Sequence, residues 1–146
     1  MAIYWLTGQP GAGKTTLATW IMASYPNKGV HIDGDDMRNC YQDKDYSKEG
    51  RMRNVEKAQN IARFLHYKGN TVVVSFVSPY REQREEFKRI MGDDLIEIYV
   101  HTSDDRGRNN YHVADYEAPE ENYVDCDTTG SSEYNSFLAL RRKLKI

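Results

Sequence analysis

Residues 2–15 read AIYWLTGQPGAGKT. The apolar run at the start predicts a β-strand, and the glycine-rich segment that follows predicts a turn leading into a helix. The spacing matches the phosphate-binding P-loop, Gly-x-x-x-x-Gly-Lys-Thr, in its expected position between a strand and a helix. A dinucleotide-binding turn fits less well, because Gly11-Ala12-Gly13 is not followed by the third glycine of that fingerprint.

The chemistry of this loop follows from its backbone. Glycines let consecutive N–H groups point into one concavity, and the helix that follows adds the positive end of its dipole. Lys14 can reach the outer phosphates of a nucleotide, and the Thr15 hydroxyl can ligate Mg²⁺. We therefore predict a site for ATP and Mg²⁺ formed by Gly8, Gln9, Pro10, Gly11, Ala12, Gly13, Lys14, Thr15 and Thr16.

The composition of the chain narrows its class. At 146 residues and 17.0 kDa, residues 1–146 are expected to form one domain with a single buried core. A net charge of −2 argues against a nucleic-acid partner, although it leaves a local basic patch open. Cys40 and Cys126 have no metal-binding or redox spacing, which favours a cytoplasmic location. No apolar run is long enough for a membrane span, and the N-terminal segment is predicted to be a strand, not a signal peptide.

Strands and helices are predicted to alternate along the chain. Strands are expected at residues 2–7, 29–32, 71–77, 95–100 and about 123–124, and helices at 14–24, 48–68, 78–91 and 132–144. In the helix at 78–91, Ser78 is expected to be the N-terminal cap and Pro79 to lie in the first turn. This alternation predicts an α/β fold with a parallel sheet covered by helices on both faces.

Three polar segments follow predicted strands and are therefore expected to meet in one cleft. They are the P-loop, Asp33-Gly34-Asp35 and residues 78–81. The two aspartates could hold a metal through water or orient an acceptor hydroxyl; the alternative is an ordinary turn and helix cap. Arg51 and Asn54 share one face of the long helix, and the guanidinium of Arg51 suits phosphate or sulfate. Alone, this pair would more often be a solvated face.

Taken together, these segments resemble the adenylylsulfate (APS) kinase family. The resemblance is carried by HIDGDDMR at 31–38, Tyr46-Ser47 with Arg51 and Asn54, FVSPYR at 76–81, and YEAP at 116–119. It covers residues 1 to about 100 and about 115 to 128. It implies a P-loop kinase fold with five strands in the order 2-3-1-4-5. It also implies transfer of the γ-phosphate of ATP to the ribose 3′-hydroxyl of APS, giving PAPS and ADP.

The resemblance also implies roles for individual residues. Lys14, Asp33 and Asp35 are the expected catalytic residues; by the resemblance Asp35 lies near the acceptor hydroxyl and Asp33 is its partner, while Thr15 and, through water, Asp33 are the candidates to hold Mg²⁺. Residues expected to bind the nucleotide substrate are Asp35, Arg38, Tyr46, Arg51, Asn54, Val77, Ser78 and Tyr111. Among them, Tyr46 would stack on the substrate adenine and Tyr111 would face it. Arg106 and Thr128 are added to the ATP site, and a homodimer is a possible assembly.

One region departs from the family pattern. Where the family carries a long basic lid, this chain has a short loop at about 102–118, with Arg106 and Arg108 as its only arginine or lysine residues before Asp115. A truncated lid excludes water less completely and leaves more room for an acceptor. Two alternatives to an APS kinase therefore stay open. One is a related kinase acting on a nucleoside, a sugar or a hydroxymethylated base in DNA; the other is a non-catalytic nucleotide-binding module.

Overall fold

The protein is built on one five-stranded parallel sheet. The computed structural model describes residues 1–146, and the strand order is β2-β3-β1-β4-β5. The strands are β1 (Ile3–Thr7), β2 (Gly29–Asp33), β3 (Thr71–Ser75), β4 (Leu95–His101) and β5 (Val124–Asp127). All four strand pairs are parallel. The predicted fold class and strand order are confirmed.

Five helices cover the two faces of the sheet. They are α1 (Lys14–Ala23), α2 (Gly34–Tyr41), α3 (Lys48–Tyr67), α4 (Arg81–Met91) and α5 (Glu133–Leu144), with short 3₁₀ turns at Gly92–Asp94 and Asn109–Tyr111. Buried side chains of α1 and α5 join one apolar cluster, and those of α2, α3 and α4 join a second. None of the helices is both long enough and apolar enough to cross a membrane.

The central strand β1 contributes to both apolar clusters. Tyr4 and Leu6 belong to the cluster under α1 and α5, whereas Ile3 and Trp5 belong to the cluster under α3 and α4. Successive side chains of a strand point to opposite faces, so a strand buried on both faces must be apolar at every position. This requirement explains the continuous apolar run before the P-loop.

Helix α4 begins later than predicted, and Ser78 is not its cap. The helix starts at Arg81, with Tyr80 in the capping position. The backbone of Ser78 is left-handed, with a φ of 45°, and its Oγ accepts a hydrogen bond from Trp5 Nε1 at 2.8 Å. The backbone N–H of Arg81 is satisfied instead by the carboxylate of Glu117, a residue distant in sequence. The prediction was wrong because the capping group comes from another segment.

Helix α2 has no counterpart among the predicted elements. Asp33 caps it, because its carboxylate accepts a hydrogen bond from Asp35 N at 3.2 Å. Met37 is the only buried residue of the helix, so the sequence shows no apolar stripe there. The helix matters for the site because it fixes the direction in which the Asp33–Asp35 segment leaves β2.

Candidate functional site

The P-loop occupies a narrow space between β1 and the neighbouring backbone. A Cβ atom at Gly8 would lie 2.1 Å from the carbonyl oxygen of Val100, which is a clash with backbone. Gly11 has a φ of 83°, and a Cβ there would meet the side chain of Arg108 at 2.9 Å. Glycine is therefore required at both positions by close approach, as expected for a loop whose backbone amides face a ligand.

Lys14 lies over this loop and is largely buried. Its Nζ donates a hydrogen bond to the carbonyl oxygen of Gln9 at 2.9 Å. Burial lowers the pKa of Lys14 to about 8, and the nearby carboxylates of Asp33 and Asp35 oppose that shift. The structure thus places the three residues predicted to be catalytic within electrostatic range of one another.

Asp33 joins four elements at the mouth of the P-loop. Its Oδ1 accepts hydrogen bonds from Thr15 Oγ1 at 2.9 Å and from Ser75 Oγ at 2.7 Å. Its Oδ2 accepts from the backbone of Asp35 at the start of α2. The two side chains predicted to serve Mg²⁺, Thr15 and Asp33, are therefore in direct contact.

The donor set suits a metal shared with a substrate. No group of three or more His, Cys, Asp or Glu side chains could hold a metal ion. Mg²⁺ in phosphoryl-transfer sites is commonly bound through one or two protein oxygens together with substrate phosphates and waters. Thr15 and Asp33 fit that pattern.

Arg38 and Tyr46, both predicted to bind the nucleotide substrate, lie in contact in the structure. Arg38 Nη1 donates to the carbonyl oxygen of Asp45 at 3.0 Å, and its guanidinium lies 4.0 Å from the centroid of the Tyr46 ring. Arg38 also lies 3.8 Å from the Asp43 carboxylate. It therefore holds the loop that carries Tyr46, and its charge is already partly matched.

A second polar wall is formed by the start of α3 and the segment before α4. Arg51 Nη1 lies 3.8 Å from Asp115 Oδ1, and Tyr80 lies beside both residues. The side-chain oxygen of Asn54 and the hydroxyl of Tyr80 are buried and have no hydrogen-bond partner. Buried polar atoms are nearly always partnered in folded proteins. Two unpartnered groups beside an arginine are consistent with a binding wall for a polar ligand.

The opposite side of the P-loop carries a cavity of about 410 Å³. It is lined by Ala12, Gly13, Leu17, Asp104, Arg106, Thr128, Gly130, Ser131, Ser132, Glu133 and Ser136. Arg106 donates to the carbonyl oxygens of Ala12 and Thr128, and Thr128 Oγ1 donates to Ala12 O at 3.0 Å. The two residues added to the ATP site by resemblance are thus joined to the P-loop backbone.

The remaining predicted residues lie as follows. The carbonyl oxygen of Val77 accepts from Thr7 Oγ1 at 2.7 Å, which brings the end of β1 against the segment that carries Ser78. Tyr111 is exposed, and its ring lies 5.0 Å from the guanidinium carbon of Arg108. In the structure each of the two rings, Tyr46 and Tyr111, packs against an arginine close in sequence. Their binding of the adenine from two sides stays a prediction.

Sequence reasoning missed two sets of contacts that shape the site. Gln9 makes a pair of hydrogen bonds with the backbone of Val113, which fastens the short lid-like loop to the P-loop. Arg84 is buried, pairs with Glu97 at 2.9 Å and donates to the carbonyl oxygens of Ser78 and Glu117. The available signal was the position of Arg84 three residues before the buried Phe87, on the apolar side of α4.

Known proteins share this combination of fold and motifs. Residues 1–136 match the sequence model of the family described as adenylylsulphate kinase. The chain belongs to the adenylylsulfate kinase family. A relative described as a probable adenylyl-sulfate kinase, from Aeropyrum pernix, is 37% identical over 108 residues, which are 69% of this chain and 59% of the relative. The chain thus spans less than two thirds of that relative's length.

Solved structures agree on the fold. An APS kinase from Mycobacterium tuberculosis, in complex with AMPPNP and APS, has a TM-score of 0.81 at 20% identity, covering 99% of this chain and 98% of that one. A sugar kinase from Janibacter has a TM-score of 0.75 at 14% identity, covering 100% and 95%. Likeness at these identities shows the fold and does not select an acceptor.

Proposed function

We propose that this protein is an ATP-dependent kinase that phosphorylates the 3′-hydroxyl of APS to give PAPS and ADP. The observation that carries the proposal is the contact between the P-loop and the Asp33–Asp35 segment. Thr15 donates a hydrogen bond to Asp33, and Lys14 lies within electrostatic range of both carboxylates. Membership of the adenylylsulfate kinase family supports APS as the acceptor.

The nucleotide side supports binding of ATP with Mg²⁺. Gly8 to Thr16 would hold the phosphates through backbone amides and Lys14, and Arg106 with Thr128 would border the nucleoside in the adjoining cavity. Thr15 and Asp33 would hold the magnesium site, Asp33 through water. When bound, Mg²⁺ supplies charge neutralisation at the transferred phosphate.

The acceptor side supports an anionic, hydroxylated substrate. Arg51 supplies a fork of donors for a phosphate or sulfate, and Asn54 and Tyr80 bring unpartnered polar atoms beside it. Asp35 would accept a hydrogen bond from the attacking hydroxyl and orient it. Arg38 would act mainly by holding Tyr46 in place for stacking on the adenine.

Ser78 and Val77 would contribute mainly through the main chain. The Ser78 hydroxyl already accepts a hydrogen bond from Trp5, and both carbonyl oxygens accept from Thr7. They would shape the wall next to the substrate without taking part in proton or phosphoryl transfer. Direct transfer between bound substrates needs only that the two be positioned.

A second candidate is a related kinase that acts on a different hydroxyl. The observation favouring it is the short loop between β4 and β5, whose only regular element is the 3₁₀ turn Asn109–Tyr111. Such a loop covers less of the cleft than a long lid, so a larger or less anionic acceptor could enter. Nucleosides, sugars and hydroxymethylated bases in DNA are the acceptors to test.

The deciding experiment offers the protein ATP labelled at the γ-phosphate, with Mg²⁺, and a panel of acceptors. APS, nucleosides, sugars and oligonucleotides with hydroxymethylated bases are assayed side by side. Label transfer to APS, at a kcat/KM well above that of every other acceptor, is the expected result. Transfer to another acceptor but not to APS would replace the proposal with the second candidate. Tight ATP binding without any transfer would instead indicate a non-catalytic nucleotide-binding module.

The state of assembly is part of the same proposal. We expect a homodimer, as the family resemblance implies, with a small-molecule nucleotide and not a nucleic acid as the substrate. Light scattering of the purified protein measures the oligomeric state. The assays with oligonucleotides test whether a nucleic acid can be the acceptor.

A further inference from the structure

A buried serine links Asp33 to a histidine that the proposed function does not use. Ser75 lies at the end of β3 and is 3% exposed. Its Oγ is 2.7 Å from Asp33 Oδ1 and 2.7 Å from His31 Nε2. These contacts form a continuous row, His31–Ser75–Asp33–Thr15, that ends at the P-loop.

The register of the sheet produces this row. Asp33 is directly opposite Ser75, and His31 is opposite Val73 two residues earlier. Residues two apart on a strand point to the same face, so His31, Asp33 and Ser75 share the face on which α1 lies. Thr15, in the first turn of α1, reaches the row from above.

The direction of the hydrogen bonds follows from what each group can donate. Oδ1 of the Asp33 carboxylate accepts from both Thr15 and Ser75. The single proton of the Ser75 hydroxyl is therefore engaged, and its oxygen must accept from His31. It follows that Nε2 of His31 carries a hydrogen atom.

We propose that Ser75 and His31 are positioning residues for the magnesium–nucleotide complex. Ser75 holds Oδ1 of Asp33 where this oxygen accepts a hydrogen bond from the Thr15 hydroxyl. The oxygen lone pairs of Thr15 then remain free for a metal. His31 in turn fixes the hydroxyl of Ser75. Groups that orient metal-binding side chains commonly change metal affinity or activity by 10- to 100-fold when removed. The inference rests on the ATP and Mg²⁺ part of the proposed function and does not depend on the acceptor.

The test measures magnesium dependence of ATP binding and needs no turnover. Binding of ATP is followed by calorimetry at increasing MgCl₂ and also in EDTA. Mg²⁺ is expected to strengthen ATP binding. For Ser75→Ala, the Mg²⁺ concentration that gives half of this gain in ATP affinity should rise by about 10-fold. Binding in EDTA should stay within about 2-fold of the wild-type value, because the P-loop amides and Lys14 are untouched.

The two residues should act as one unit. His31→Leu should raise the Mg²⁺ requirement less than Ser75→Ala does, and His31→Gln should restore part of the loss because its amide can still donate. In the Ser75→Ala background, His31→Leu should have no further effect on the Mg²⁺ requirement, since its path to Asp33 is already broken. Independent, additive effects would overturn the proposed row.

A matched control separates positioning from folding. His66 is a second histidine, on α3, hydrogen-bonded to the Met1 carbonyl oxygen. His66→Leu should leave the Mg²⁺ requirement unchanged. An unchanged requirement in folded Ser75→Ala, or equal losses with Mg²⁺ and in EDTA, would overturn the inference. If Ser75→Ala does not fold, the His31 variants give the same readout from a half-buried position on an edge strand.

The design also distinguishes this inference from the proposed function. If APS is not phosphorylated but the variants change the Mg²⁺ requirement as expected, only the choice of APS as the acceptor is wrong. Absence of ATP binding by the wild-type protein would overturn the nucleotide site and the positioning row together.

Discussion

At the scale of single residues, the site depends on charged side chains that are partly buried. Lys14 is the clearest case, because it is largely buried and contacts the backbone of its own loop. A charge held in a dry site acts more strongly on a nearby phosphate than a solvated one does. Its position also keeps the ammonium group ordered before a nucleotide arrives.

Replacement of this lysine tests its role. Lys14→Ala should lower kcat by about 10²- to 10³-fold, because it removes a donor aimed at charge that develops in the transition state. Lys28→Ala, at an exposed lysine before β2, is the matched control and should leave turnover unchanged. Measurement of steady-state turnover with the preferred acceptor checks both. A loss in the control equal to that in Lys14→Ala would argue against a specific role for Lys14.

The two cysteines should differ in reactivity. Cys40 is exposed, whereas Cys126 is buried, and burial raises the pKa of the Cys126 thiol to about 11. Between pH 7 and 9, iodoacetamide should modify Cys40 alone in the folded protein, as read by mass spectrometry. Equal rates of modification at both thiols would contradict the burial of Cys126.

The same thiol makes a pH-dependent contribution to stability. Because the unfolded thiol ionises near pH 9.0 and the folded one near 11, the folded state binds more protons in that interval. The free energy of unfolding should therefore fall as the pH rises from about 9 to 11. Urea unfolding at several pH values measures how steeply the free energy of unfolding falls with pH. This fall should be smaller in Cys126→Ala.

At the scale of elements, α4 shows where sequence reasoning reaches its limit. The apolar runs of β1 and β3 and the long apolar stripe of α3 were predictable, because burial on a sheet leaves a periodic pattern. The beginning of α4 was not, since its first N–H group is satisfied by Glu117 and the Ser78 hydroxyl by Trp5. Contacts between segments distant in sequence leave no local pattern.

The candidate site divides in the same way. The P-loop and the Asp33–Asp35 segment were predictable from motifs, and their contact follows from their places after parallel strands. The partners of Arg38 and Arg51 were not predictable, because they depend on how two loops fold back onto the helices. Helix α2 was missed because its residues are mostly polar.

Removal of the distant cap tests its contribution. Glu117→Ala should lower the free energy of unfolding by about 1 kcal/mol, the usual cost of losing a helix cap. Glu121→Ala is the control, because the Glu121 carboxylate is exposed and makes no hydrogen bond to α4. The main-chain carbonyl of residue 121, which accepts from Lys88, is kept. Urea denaturation followed by circular dichroism gives both values. If the two variants were equally stable, the cap would contribute nothing measurable.

At the scale of the whole molecule, Arg84 connects three segments that are distant in sequence. Its guanidinium joins Glu97 on β4, Ser78 before α4 and Glu117 at the end of the lid-like loop. Lys88 occupies the other oxygen of Glu97 at 2.9 Å. The segment before α4 and the lid-like loop are therefore both held by the buried Arg84–Glu97 ion pair.

Removal of the Arg84–Glu97 ion pair should lower the free energy of unfolding strongly. Arg84→Met should destabilise the protein by about 3–5 kcal/mol, because it leaves Oε2 of the buried Glu97 and the carbonyl oxygen of Glu117 without a partner. Arg89→Met changes an exposed arginine of the same helix and should cost little. The midpoints of urea unfolding compare the two. Similar midpoints would show that the buried pair does not hold the molecule together.

The central place of β1 has a consequence for how the chain is made. Ile3 pairs with Val72 on one side and with Leu95 on the other. During synthesis, this apolar strand leaves the ribosome long before either partner exists, and parallel pairing across such distances is slow. A nascent chain that stops short of Leu95 exposes one edge of β1, a state prone to aggregation. The strand that supports the phosphate-binding loop is thus also one that stays incompletely paired until most of the chain has been made.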